Sequence, residues 1–157
     1  RGIVFDGRTT EDFKLVTRTW VHVGSLRVAA IAAAAPVIQD CVVAGQDREE
    51  VGLLVFPGLA GCQRIATSVA PDAPVEVLIA APEIRAHLEQ TLRAYNRQAG
   101  GSSRRIGRVL LLAEPPSIDG GEITDKGYIN QRAVLTRRAA EVERLYAPDD
   151  PAVIRLG

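Results

Sequence analysis

Val51-Gly52-Leu53-Leu54-Val55-Phe56-Pro57-Gly58 decides the fold. Its first six residues are β-branched, apolar or aromatic, and Pro57-Gly58 closes the run, so it reads as a strand. Upstream, Val37–Ala44 is a second β-rich run, and Gly45-Gln46-Asp47-Arg48-Glu49 between the two reads as a hairpin connection. Downstream, Ile84, Leu88, Leu92 and Tyr95 recur at spacings of four, four and three, one face of a helix over 83–99 that opens near Pro82 and ends at Gly100-Gly101. Ile106–Ala113 then reads as a buried strand, stopped by Pro115-Pro116. The order strand, helix, strand predicts a crossover, with 51–56 and 106–113 parallel.

Working outward, Ile3-Val4-Phe5 is a short apolar run ending at the turn Asp6-Gly7, and residues 13–23 are predicted to be extended around a bend. Ser25 is placed to cap a helix through the alanines, stopping at Pro36. Residues 59–66 read as a short helix, and 67–82, with Pro71, Pro74 and Pro82, as a surface loop. A last helix carries Leu135, Ala139, Val142 and Leu145 on one face, and the tail after Pro148 is expected to be loosely held. The result is an α+β fold: a central sheet of about three strands, helices packed on it, and an N-terminal β-hairpin. One domain over 1–157 is expected, without an internal linker.

The 157 residues suffice for a real core, and an apolar fraction of 46% with 24% charged residues fits an ordinary globular protein. Nineteen basic and nineteen acidic side chains cancel, which argues against nucleic acid as a partner. No apolar stretch reaches about 18 residues, so no membrane span is expected. Cys41 and Cys62 lie in apolar surroundings without metal-type spacing, and read as structural thiols in a reducing, cytoplasmic compartment. The chain opens on Arg1 and has no Met, which predicts a piece of something longer. Of its 19 basic residues 17 are Arg, leaving only Lys14 and Lys126.

Both lysines fall in unusual segments. Ile118-Asp119-Gly120-Gly121-Glu122-Ile123-Thr124-Asp125-Lys126-Gly127-Tyr128-Ile129-Asn130-Gln131-Arg132 joins a buried strand to a helix, and its glycines permit close backbone approach to a ligand. A lysine there can act as a mobile point charge against phosphate or carboxylate oxygens, or simply be a solvated side chain. Phe5-Asp6-Gly7-Arg8-Thr9-Thr10-Glu11-Asp12-Phe13-Lys14-Leu15 alternates charges, as a plain surface hairpin also would. His22 and His87 show no pairing pattern, and Asp47–Glu50 and Arg104-Arg105 read as solvated surface. There is no Ser/His/Asp signature, zinc spacing or Walker loop.

Together the two segments resemble a known family. Asp6-Gly7-Arg8 through Lys14-Leu15 resembles the Gly-Arg-x-x-Asp-x-x-Lys segment that opens the C-terminal domain of acyl-adenylate-forming enzymes, namely acyl-CoA synthetases, adenylation domains and luciferases. Gly121-Glu122-Ile123-Thr124-Asp125-Lys126-Gly127 resembles their final motif, which carries a catalytic lysine. The wording of 2–24, 37–57 and 109–135 is most similar to feruloyl-CoA synthases.

The resemblance implies roles. Lys126 would be the adenylation lysine, Arg8 would lie beside the nucleotide, and Thr10 would be the hinge to a large N-terminal domain absent from this chain. Lys14 through Trp20, with Thr17 and Arg18, would form the loop lining the tunnel for CoA. It implies ATP with Mg²⁺, bound mainly by the N-terminal domain, CoA as co-substrate, and an aromatic or other carboxylic acid as substrate. It also places the chain's beginning near the hinge and implies that the fragment alone is inactive. Relatives carry Gly-Lys-Ile where this chain has Gly121-Glu122-Ile123, Asp or Lys at the hinge, and a Gly where this chain has Thr17 or Arg18. Two other readings stay open: a non-catalytic module with a βαβ core binding a small anion through the Gly-rich loop, and the lid of an enzyme loading a carrier protein.

Overall fold

A computed structural model describes residues 11–157. Arg8 and Thr10 therefore lie outside the described residues, as does the apolar run 3–5.

Four strands form the main sheet: β3 (Ile38–Ala44), β4 (Val51–Pro57), β5 (Ile106–Leu111) and β6 (Ile154–Arg155), side by side in that order. β1 (Phe13–Lys14) and β2 (Trp20–Val21) make a separate hairpin before it. The helices are α1 (Val23–Ala33), α2 (Leu59–Ile65), α3 (Val75–Ile79), α4 (Pro82–Ala99), α5 (Gln131–Arg137) and α6 (Ala139–Leu145). β3 and β4 are antiparallel, while β4 and β5 are parallel and joined through α4, as the strand–helix–strand order requires.

Apolar side chains on β4 serve two layers, because successive residues of a strand face opposite ways. Val51, Leu53 and Val55 join Cys41, Val43 and Val109 against α1 and α4, where Leu26, Ile84, Leu88 and Leu92 are buried. Leu54 and Phe56 join Val42, Leu110 and Leu112 on the other side, against Val134 of α5 and Leu145 of α6. The sheet is thus covered on both faces by helices. Gly52 makes the second layer possible: a Cβ there would stand 2.7 Å from Leu145 Cδ2.

Four local expectations are revised. The sheet has a fourth strand, because the tail is not loose: Val153, Ile154 and Leu156 are buried, and Ile154 pairs with Val109. α1 begins two residues before Ser25, capped from a distance by Asp12, whose Oδ1 accepts the Val23 N–H at 3.0 Å. The proline-rich stretch holds one turn and more of helix, α3, which buries Leu78. The last helix is two helices, broken at Arg138, whose φ of −109° and ψ of 37° leave the helical region.

Candidate functional site

The two lysines sit on two hairpins built to one plan. In the first, Leu15 N–H donates to Thr19 O at 3.0 Å and Arg18 N–H to Leu15 O at 2.8 Å, leaving Val16, Thr17 and Arg18 as the loop. In the second, Thr124 N–H donates to Tyr128 O at 2.7 Å and Gly127 N–H to Thr124 O at 2.9 Å, leaving Asp125, Lys126 and Gly127. A three-residue hairpin loop of this kind needs a left-handed residue last. Gly127 supplies it with φ +86°, and Arg18 supplies it with φ +73°. Of Thr17 and Arg18, it is Arg18 that fills the slot a glycine fills at lower conformational cost.

Lys126 is exposed at the tip of its hairpin, as are Asp125 and Tyr128. The base of that hairpin is fixed. Ile123 bridges Ile129, and Asn130 N–H donates to Glu122 O at 2.8 Å. The Asn130 side chain caps α5, accepting the Ala133 N–H at 3.1 Å. Glu122, where the resemblance leads one to expect lysine, is wholly buried and ionic: Arg138 Nε reaches its Oε2 at 2.9 Å and Arg138 Nη2 its Oε1 at 3.0 Å. Ser117 N–H donates to Oε1 at 2.8 Å, and Arg137 approaches Oε2 at 3.3 Å. Burial would raise this carboxyl, but the hydrogen bonds from Arg138 and Ser117 and the charges of Arg138 and Arg137 outweigh it and hold the group below its ordinary value.

On the other hairpin, Lys14 is half-buried, with its ammonium 5.0 Å from the Trp20 ring centre. Trp20 and Val16 are half exposed, so this loop shows water an aromatic and a branched apolar side chain beside two cations, Lys14 and Arg18. Thr17 Oγ1 lies 3.0 Å from Thr19 Oγ1. The loop is anchored to the β3–β4 turn by Asp47 N–H to Lys14 O at 3.0 Å and Val16 N–H to Arg48 O at 2.8 Å.

The hairpins are rooted in different layers. Phe13, Leu15 and Val21 belong to the α1–α4 layer, whereas Ile129 packs against the α5–α6 layer. A cleft of about 390 Å³ runs between β1, the β3–β4 turn and α5–α6, lined by Asp12, Arg48, Gln131 and Tyr146 among others, and neither lysine lines it.

Other candidate chemistries are absent among the described residues. Among the described residues no group of three or more His, Cys, Asp or Glu is placed to hold a metal ion. Burial pushes the Cys41 thiol up to about 12 and the Cys62 thiol to about 11, leaving both unreactive. His87 is held at 3.2 Å from Ala34 O, and exposed His22 pairs with Asp12 at 3.1 Å. No described helix is long and apolar enough to cross a membrane.

Comparison with known proteins gives this geometry a context. A family model described as the AMP-binding enzyme C-terminal domain matches residues 26–150. A chloroplastic long-chain-fatty-acid acyl-carrier-protein ligase of Arabidopsis thaliana is 29% identical over 145 residues, 92% of this chain and 18% of the relative. A probable chloroplastic acyl-activating enzyme of the same plant is 30% identical over 145 residues, 92% of this chain and 19% of its own length. The chain thus spans about a fifth of these relatives. Among solved structures, the A domain of carboxylic acid reductase from Segniliparus rugosus, in complex with AMP and a co-purified carboxylic acid, matches 88% of this chain and 20% of its own at a TM-score of 0.65 and 20% identity. The A-PCP didomain of that reductase, in complex with AMP, matches 89% of this chain and 18% of its own at 0.64 and 21% identity.

Proposed function

The chain belongs to the AMP-binding enzyme C-terminal domain family, and from that premise we propose that it is the C-terminal domain, and the mobile lid, of an ATP-dependent, adenylate-forming acid–thiol ligase. Its partner is then its own N-terminal domain, which holds ATP with its Mg²⁺ and the carboxylic acid. Lys126 serves the first half-reaction and the Lys14 hairpin the second. The observation that carries this reading is Lys126 itself, exposed on a three-residue tip whose base is clamped.

In the first half-reaction a carboxylate oxygen attacks the α-phosphorus of ATP, an acyl–oxygen–phosphorus bond forms, and the bond to pyrophosphate breaks. Two anions must meet, and negative charge builds on the phosphoryl oxygens. An ammonium held between them offsets the repulsion and positions the pair. Lysine suits the task because it is a compact charge on a long stem. In the second half-reaction a thiol sulfur attacks the acyl carbon and AMP leaves. Lys126 is then in the way, and a rigid rotation about a hinge at Thr10, with Arg8 beside the nucleotide, brings the other hairpin forward. Rooting the two lysines in opposite layers suits a domain that presents two faces in turn.

CoA as thiol acceptor and an aromatic acid such as ferulate as substrate are the finer parts of this proposal, with a cytoplasmic location. A second acceptor, the thiol of a carrier protein, is favoured by the acyl-carrier-protein ligase among the relatives. The experiment is pyrophosphate exchange by the full-length protein with a panel of aromatic and fatty acids, followed by offering CoA or acyl carrier protein to the enzyme-bound adenylate. Exchange that survives Lys126→Ala undiminished would overturn the assignment of that residue.

A further inference from the structure

We propose that the buried Glu122–Arg138 pair is a positioning device for Lys126: it fixes the angle at which the hairpin 122–130 leaves the fold, and the adenylation step depends on that angle. The inference rests on the assignment of Lys126 to adenylation.

The pair is built at some expense to the surrounding chain. Arg138 interrupts what would be one continuous helix, and its guanidinium turns to the loop instead of water. Besides Glu122 it reaches Glu114 O and Pro115 O, each at 2.9 Å, so one side chain ties together both ends of the segment entering the hairpin. It also lies over the Phe56 ring, with its central carbon 5.1 Å from the ring centre, which seats it on the second apolar layer. Glu122 fills its share of the contacts with all of its acceptor directions turned inward: two nitrogens of Arg138, one of Arg137, and Ser117 N–H.

Such an arrangement is a poor way to gain stability. Taking two charges out of water costs about what their attraction returns, and apolar replacements of similar volume are often neutral or better. What a bidentate pair does supply is geometry, since the planar fork admits few orientations. Lys126 is four residues from Glu122 along one arm and four from Asn130 along the other. Glu122 is held by Arg138 and Asn130 by the start of α5, so the tip inherits its direction from both. A tilt of a few degrees at the base moves a long side chain by an ångström or more at its end, enough to cost about 100-fold in a step governed by alignment.

The test uses the full-length enzyme and three variants: Glu122→Gln, which keeps the volume and removes the charge; the apolar double replacement Glu122→Leu with Arg138→Met, which keeps the layer packed; and Lys126→Ala as reference. Pyrophosphate exchange reads adenylation, and thioester formation from supplied acyl-adenylate reads the second step. The double replacement leaves Glu114 O, Pro115 O and Ser117 N–H without these partners, so it is expected to stay folded with a modestly lower denaturant midpoint, and to lose about 10- to 100-fold in kcat for exchange. Its KM values and thioester rate should stay within about threefold of the parent. Glu122→Gln should fall between. A stably folded double replacement with undiminished exchange, or with equal losses in both steps, overturns the positioning role while leaving Lys126 in place. If Lys126→Ala itself leaves exchange intact, the functional reading fails first and the inference falls with it.

Discussion

The side chain of Gln131 treats Val43 as a neighbouring strand would. Its Oε1 accepts the Val43 N–H at 3.0 Å and its Nε2 donates to Val43 O at 2.6 Å, across 88 residues of chain. Val43 lies on β3, the edge strand of the sheet, whose outward backbone groups would otherwise be buried without partners.

Gln131→Leu keeps the volume and abandons both bonds. It is expected to destabilise the fold by about 1–3 kcal/mol, the cost of leaving buried backbone groups unpaired. Urea unfolding checks the magnitude. Amide exchange checks the place: protection should fall at Val43 more than at Leu53 on the next strand.

Arg18 holds a left-handed backbone at φ +73°, which costs an L-residue about 1–2 kcal/mol. Arg18→Gly removes that cost and adds freedom to the unfolded chain, so a net gain of about 0.5–1 kcal/mol is expected. The reverse sign in chemical denaturation would show that the arginine side chain contributes more than its backbone costs.

The Glu122 carboxyl is held below its ordinary range, so the unfolded chain takes up its proton at a higher pH than the native one does. The stability this brings is complete above the ordinary Glu value of about 4.3 and is lost as pH falls through the lower native value. Unfolding free energy measured from pH 7 down to pH 3 should therefore decline below about pH 4.5, and Glu122→Gln should flatten that slope. Glu122→Ala, which strands the Arg138 charge, is expected to cost about 3–5 kcal/mol at pH 7.

Lys14→Ala removes an ammonium held 5.0 Å from the Trp20 ring on a partly exposed hairpin. Stability should change by no more than about 1 kcal/mol. In the full-length enzyme, pyrophosphate exchange should be nearly unaffected while thioester formation slows. A severe loss of exchange would mean that the two lysines have been assigned the wrong way round.

Strand β4, strand β5 and helix α4 were legible because each is long and strongly patterned, and their order fixed the parallel pairing. Strand β6 was not: two residues after a proline-rich tail carry no periodicity, and only their pairing with Arg108 and Val109 makes them a strand. The break at Arg138 hides in the apolar spacing of Leu135, Ala139, Val142 and Leu145, which reads as one helix. Arg138 at that break pairs with a carboxylate 16 residues earlier, a contact that no local pattern encodes. Glu122 looked like a departure from a lysine position, and the structure gives it a place of its own beneath the hairpin. Lys126 and Lys14 stood out because lysine is scarce, but their shared hairpin geometry follows from hydrogen bonds and from one positive φ at Arg18 that no glycine announces.

The sheet is a partition as well as a scaffold. Because β4 sends alternate side chains to two apolar compartments that do not merge, each lysine-bearing hairpin draws its support from a different one. The separation is not complete at the surface, because Arg48, whose carbonyl holds the Lys14 hairpin, pairs with Glu143 at 3.0 Å and lies over the Tyr146 ring on the α5–α6 side. On the proposed roles of the two lysines, apolar substitutions in the α1–α4 compartment would bear first on the step assigned to the Lys14 hairpin, and those in the α5–α6 compartment first on the step assigned to Lys126.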